Sequence, residues 1–116
     1  MIKLPSNGYT LFDSERKSKT HPEHWEHPPA EALDRIQPGF VVNVGVTHPE
    51  SAGERFWGVV QGMDDAGITI QIDQKLVCSK EHGLNYKDDV CVERRHIFGI
   101  IDAQGGTVWP TEGMGT

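Results

Sequence analysis

Residues 53–73 leave this chain little freedom, because two strand-forming runs meet there at a four-residue turn. The first run is Gly53-Glu54-Arg55-Phe56-Trp57-Gly58-Val59-Val60-Gln61-Gly62-Met63, and the second is Ile68-Thr69-Ile70-Gln71-Ile72-Asp73. Both lack charge in their middles and are rich in β-branched and aromatic side chains, which suit a pleated surface. Ile68, Ile70 and Ile72 fall on one face, with Thr69, Gln71 and Asp73 on the other, the period-2 pattern of a half-buried strand. Between the runs, Asp64-Asp65-Ala66-Gly67 supplies turn chemistry, with Gly67 able to take the positive φ that tight hairpins need. The centre of the chain is predicted to be a β-hairpin, with the three isoleucines facing the core and Met63 and Ile68 near the ends of adjacent antiparallel strands.

The hairpin sets the class of the flanking segments. Phe40, Val42, Val44 and Val46 alternate with Val41, Asn43, Gly45 and Thr47, which predicts a first long strand before it. Leu76-Val77-Cys78 continues or re-pairs the third strand after a bend at Gln74-Lys75. Val90-Cys91-Val92-Glu93 and Ile97 to Ile101 supply two more apolar segments. Upstream, Tyr9, Leu11 and Phe12 fit a short strand or an apolar patch on the body, and Glu15 to Lys19 a solvated helical turn or loop. Pro29 opens a short helix through Ala30-Glu31-Ala32-Leu33-Asp34-Arg35-Ile36, and Pro38-Gly39 stops it. About five short strands at close spacing indicate a mainly β fold, with a small SH3-like barrel as first choice. The expected organisation is an N-terminal extension with one short helix (1–39), a β-barrel domain (40–101) and a flexible, glycine-rich tail (102–116), in which Val108-Trp109 is the one pair suited to docking.

Composition excludes several classes of function. The chain has 116 residues, one domain's worth. Seventeen acidic against eleven basic residues give a formal charge of −6, with a pI near 5.4. That balance opposes broad nucleic-acid binding and attraction to anionic membranes. No apolar run approaches the ~20 residues of a membrane-spanning helix, and the N-terminus lacks a signal-peptide core. The expectation is a cytoplasmic protein, and its two cysteines, Cys78 and Cys91, are expected to be free thiols.

A family resemblance enters through short motifs. Glu54-Arg55-Phe56-Trp57 opens a strand, Gly67-Ile68 and Ile72-Asp73 bound the next, and Leu76-Val77 follows. His82-Gly83-Leu84 comes next with Tyr86, Asp88 and Val90, and His96-Ile97 closes the set. In these motifs residues 40–101, roughly half the chain, resemble the bacterial domain-of-unknown-function family 2314. Two positions depart from its pattern. Gln74-Lys75 stands where the family places Asn followed by an acid, and Tyr86-Lys87-Asp88 where it has a Tyr-Gly-Asp turn. The resemblance implies a small bacterial β-rich domain and brings no established activity, cofactor or partner.

Four groups of residues bear on chemistry. Cys78, His82, Cys91 and His96 form a Cys-x3-His and Cys-x4-His set, an ordinary composition for structural zinc. The spacing is unlike a zinc finger's close cysteine pair, however, and Cys91 points away from the face of Val90 and Val92, so ordinary thiols without a metal are the preferred reading. His21, His24 and His27 recur every third residue, as on one helical face. Pro22 and Pro28-Pro29 oppose a helix through all three and favour a solvated, acid-flanked loop. Arg55 and Trp57, with His82 and His96, make the best candidate recognition surface, because Arg and Trp combine apolar area with polar reach; the competing reading is a core Trp57. Glu93-Arg94-Arg95-His96 suits a phosphate or carboxylate, or else a solvated turn whose arginines pair with nearby acids. His82 and His96 either share one depression, walled by Trp57 or Arg95, or each cap a turn.

No nucleophile motif, phosphate loop, dinucleotide fingerprint or metalloprotease helix is present, and Asp64-Asp65 and Asp88-Asp89 sit in predicted turns. The sequence therefore favours a binding module for a protein partner, of adaptor or immunity type, with no cofactor. The alternative is a small-ligand-binding or enzymatic domain with a pocket around His82 and His96.

Overall fold

The computed structural model describes residues 2–3, 10–20, 27–48, 51–76 and 84–109. Eight strands join in one sheet: β1 (Ile2–Lys3), β2 (Thr10–Leu11), β3 (Val41–His48), β4 (Ser51–Asp64), β5 (Gly67–Ile72), β6 (Asp89–Val92), β7 (Ile97–Ile101) and β8 (Thr107–Trp109). Two short helices, α1 (Ser14–Thr20) and α2 (Ala30–Leu33), and a 3₁₀ turn at Arg94–His96 complete the described elements. The hydrogen-bonded order is β1-β6-β5-β4-β3-β7-β8, with β2 beside β3. All pairings are antiparallel except β1 with β6, which is parallel.

The β4–β5 hairpin forms as its turn chemistry dictates. Asp64 pairs with Gly67 and Met63 with Ile68. The Asp64 carboxylate accepts the Ala66 N–H at 2.8 Å, fixing the turn locally. Gly67 has φ +140 and a β-carbon there would lie 2.6 Å from the Val92 carbonyl oxygen, so both backbone and space demand glycine. Ile70 and Ile72 have no exposure and Ile68 is buried. In β3 the same alternation puts Val42, Val44 and Val46 fully inside.

One face of this single sheet buries Val44, Phe56, Ile70, Val90 and Ile97, all within one core with Ala32, Leu33 and Ile36. A four-residue helix cannot cover so wide a face, so the sheet has to curl around its own side chains. Among the described residues it stops short of a closed barrel: β1 and β8 end the hydrogen-bonded path and do not pair with each other. The expected SH3-like closure is therefore not seen, and the supported description is a curled, mainly antiparallel sheet with two helices. The strand count also exceeds the expected five. The extra strands come from the chain's outer segments: β1 and β2 from the N-terminal part, β8 from the segment read as a loose tail. Val108 is buried at 5 % exposure, and Trp109 packs against the core.

Of the helical turn or loop expected at Glu15 to Lys19, the helical form is found, and it runs over seven residues as α1. Asp13 supplies the missing start signal, its carboxylate accepting the Arg16 N–H at 2.9 Å, while Glu15 in the first turn and Lys17 and Lys19 in the last complement the helix dipole. Helix α2 starts after Pro29 as expected but ends at Leu33. Ile36 is still buried beyond it.

Candidate functional site

In β4, Phe56 and Val60 face the core, which sends Arg55 and Trp57 to the outer face by the period of the strand. The competing reading of Trp57 as a core residue is thereby answered: it is half-buried, on the outside. Its backbone N–H donates to the Gln74 side-chain oxygen at 2.8 Å. Trp57 pairs with Asn43 on β3, and Asn43 with Gly99 on β7. A β-carbon at Gly99 would lie 3.5 Å from the tip of the Trp57 ring (Cη2). The indole therefore reaches across Asn43 toward the second strand away. Asn43 beneath it donates to the Phe56 carbonyl at 3.3 Å.

Arg55 stands one step along the same face. A bulge between β3 and β7 leaves Phe98 without a partner residue in the ladder, since Asn43 pairs with Gly99 and Val44 with Ile97. The Arg55 guanidinium lies 4.3 Å from the centre of the Phe98 ring. Partial burial lowers its pKa from the usual arginine value and leaves it cationic. Phe12 extends the stripe. A β-carbon at Gly45 would come within 2.5 Å of the Phe12 ring, so glycine there makes the landing site. Lys17 sits 5.8 Å from the same ring's centre. The outer face thus shows Phe12 and Trp57 to solvent, with Lys17 over Phe12 and Arg55 covering Phe98, which is itself buried at 6 % exposure. Aromatic rings paired with cations suit recognition of a partner surface rather than bond-making chemistry. The sequence singles out Arg55 and Trp57 but not Phe98, which the bulge leaves unpaired, and does not connect Phe12 to them.

Arg95 and His96 belong to a different element, the 3₁₀ turn between β6 and β7. Arg95 pairs with Asp13 at 2.8 Å and Glu93 at 3.2 Å, and Arg94 with Asp34 at 2.7 Å. These are the nearby acids of the solvated-turn reading, and they tie both helices to the turn. Burial would raise the Asp13 pKa, but the Arg16 N–H and the hydrogen bond and charge of Arg95 hold it below the usual carboxylate range. Hydrogen bonding to Arg95, then its charge, likewise lowers Glu93, and the two carboxylates raise Arg95 further above the ordinary arginine value.

His96 is buried at 8 % exposure. Its Nδ1 accepts the Glu93 N–H at 3.0 Å, and the Glu93 side chain accepts the His96 N–H in return, a reciprocal cap. Burial, then the Arg95 charge, lowers the His96 pKa. The imidazole thus serves a turn, as the capping alternative requires. His82, the other half of the expected pocket, lies outside the described residues, as do Cys78, His21 and His24.

Cys91 is a free thiol whose Sγ lies 3.7 Å from the Ala66 carbonyl. Burial, followed by the charges of Asp64 and Glu93, raises its pKa. Among the described residues no three His, Cys, Asp or Glu side chains stand together as a metal site would need. One further pair has nucleophile–base spacing: Ser14 Oγ and His27 Nδ1 are 3.1 Å apart. Ser14 has no exposure at all, so no acyl group can reach it. Among the described residues no helix is long and apolar enough to cross a membrane.

No known family model matches the chain, and no curated protein or solved structure matches it either.

Proposed function

We propose that this chain is a cytoplasmic protein-binding module, of adaptor or immunity type, that engages its partner through the outer face of a sheet curled like an SH3-like barrel. The observation that carries this reading is Arg55 stacked on Phe98 with Trp57 beside it on one surface. Arg and Trp are the side chains whose truncation most often costs an interface its affinity. Here neighbouring packing already holds them in place, so little rotamer freedom remains to be lost on binding. The net charge of −6 disfavours nucleic acid as the partner. The motif resemblance to the bacterial family 2314 agrees with a small β-rich domain and leaves the partner open.

Affinity capture from the native cells tests the proposal. The bait is wild type, Arg55→Ala, Trp57→Ala, or Lys75→Ala as an exposed control. One protein should be retained by wild type and the control and lost from both outer-face variants, each shown by circular dichroism to be folded. A protein captured equally by all four baits would remove the outer face from consideration.

A further inference from the structure

The inner side of the sheet opens at the tip of the β4–β5 hairpin, well apart in the fold from the Arg55–Trp57 surface. Met63 pairs with Ile68 there, yet it is 50 % exposed while Ile68 is buried. With Leu33 and Ile36 these two residues floor an open depression of about 610 Å³. Its rim is acidic. Asp64 and Asp65 at the hairpin turn, Glu15 of α1, Asp34 after α2 and Glu93 before the 3₁₀ turn all line it. Arg94 and Arg95 also line it, but they are committed to Asp34 and to Asp13 and Glu93. Glu15, Asp64 and Asp65 form no ion pair among the described residues, although Lys19 stands one helical turn from Glu15 and borders a neighbouring hollow with it.

Two features decide what fits. The carboxylates do not converge: among the described residues no three of them approach as a metal ion requires. Of the apolar floor only Met63 is exposed, over buried Leu33, Ile36 and Ile68, and a bare cation would leave that side chain uncovered. An occupant must spread positive charges around a rim while placing one apolar side chain at the centre. We infer that this depression docks a cationic peptide segment, with an aliphatic anchor on Met63 and flanking Lys or Arg side chains on Glu15, Asp64 and Asp65. Complementary charge supplies selection and on-rate, and the buried anchor supplies residence.

A fluorescent, amidated peptide with alternating lysine and arginine around a single leucine serves as the probe, read by anisotropy and amide chemical shifts. Shifts should concentrate at residues 63–67, and affinity should fall as salt rises. The double variant Asp64→Asn, Asp65→Asn keeps the turn's acceptor oxygen and should bind about tenfold more weakly. Met63→Gln should also weaken binding, and Asp73→Asn, a carboxylate removed elsewhere, should not. Replacing the leucine by glycine should cost affinity. Equal losses from Asp73→Asn and the double variant, or a leucine-free peptide that binds as well, would reduce the effect to general acidity and overturn the proposal. Shifts centred on Arg55 and Trp57 would overturn it too, while leaving the outer-face reading untouched.

Discussion

His96 shows how one side chain settles between chemistry and structure. A ring whose Nδ1 accepts a backbone N–H carries its proton on Nε2, and a second proton would destroy that bond. Burial first, and Arg95 second, move its pKa below the ordinary 6.5. As pH falls, the unfolded chain therefore takes up this proton before the folded one does. The stability His96 confers is complete above about pH 6.5 and drains away as pH falls through the lower folded value. Gln at the same position of a capping box keeps the acceptor without titrating. Denaturant midpoints should drop between about pH 7.5 and pH 5.5 for wild type and drop less for His96→Gln; parallel curves would show that His96 does not titrate on unfolding. Lys87 makes a second case. It holds φ +73, a conformation that costs a non-glycine residue roughly 1–2 kcal/mol. Lysine has no preference for that region, so the residue type did not announce this backbone conformation in the sequence. Lys87→Gly relieves the strain and loosens the unfolded chain, and should gain up to about 1 kcal/mol. A lowered urea midpoint would contradict that balance.

At the scale of elements, periodicity made the long strands legible. Ile68, Ile70 and Ile72, and Val42, Val44 and Val46, alternate over enough positions for one face to be forced inward. Ile70 touches the β4 backbone so closely that a β-carbon at Gly58 would lie 2.7 Å from its Cδ1. Ile70→Ala should cost roughly 2–5 kcal/mol in chemical denaturation; an unchanged midpoint would refute the facing. Strands of two or three residues, such as β1, β2 and β8, hold no period to read, because tertiary pairing alone makes them strands. The outer-face stripe was half legible for the same reason. Alternation placed Arg55 and Trp57 together, whereas Phe98 joins them through a bulge that breaks alternation.

At the scale of the whole molecule, the N-terminal segment is fastened from two sides. Phe12 rests on Gly45, and Asp13 reaches Arg95, far along the chain. Exposed ion pairs contribute little alone, so the ring should be the stronger fastening. Phe12→Ala should speed hydrogen exchange in β2 and α1 while leaving the β4–β5 hairpin protected; uniform loss of protection would mean the segment folds as one unit with the sheet. Curling without closure was not legible, since no local pattern encodes whether the ends of a sheet meet.

The two ends of the sheet are short strands, β1 over two residues and β8 over three. Behind β8 stands Ile97-Phe98-Gly99-Ile100-Ile101, uncharged and rich in β-branched residues, the composition from which amyloid-forming segments are drawn. Three residues of β8 therefore act as a gatekeeper against edge-to-edge growth. A chain cut after Gly106 loses Val108 and Trp109 from the packing and bares the edge of β7, and should self-assemble, giving thioflavin-positive material under conditions where the full chain stays monodisperse. Short though it is, a strand anchored at Val108 would keep each molecule from becoming the template for the next.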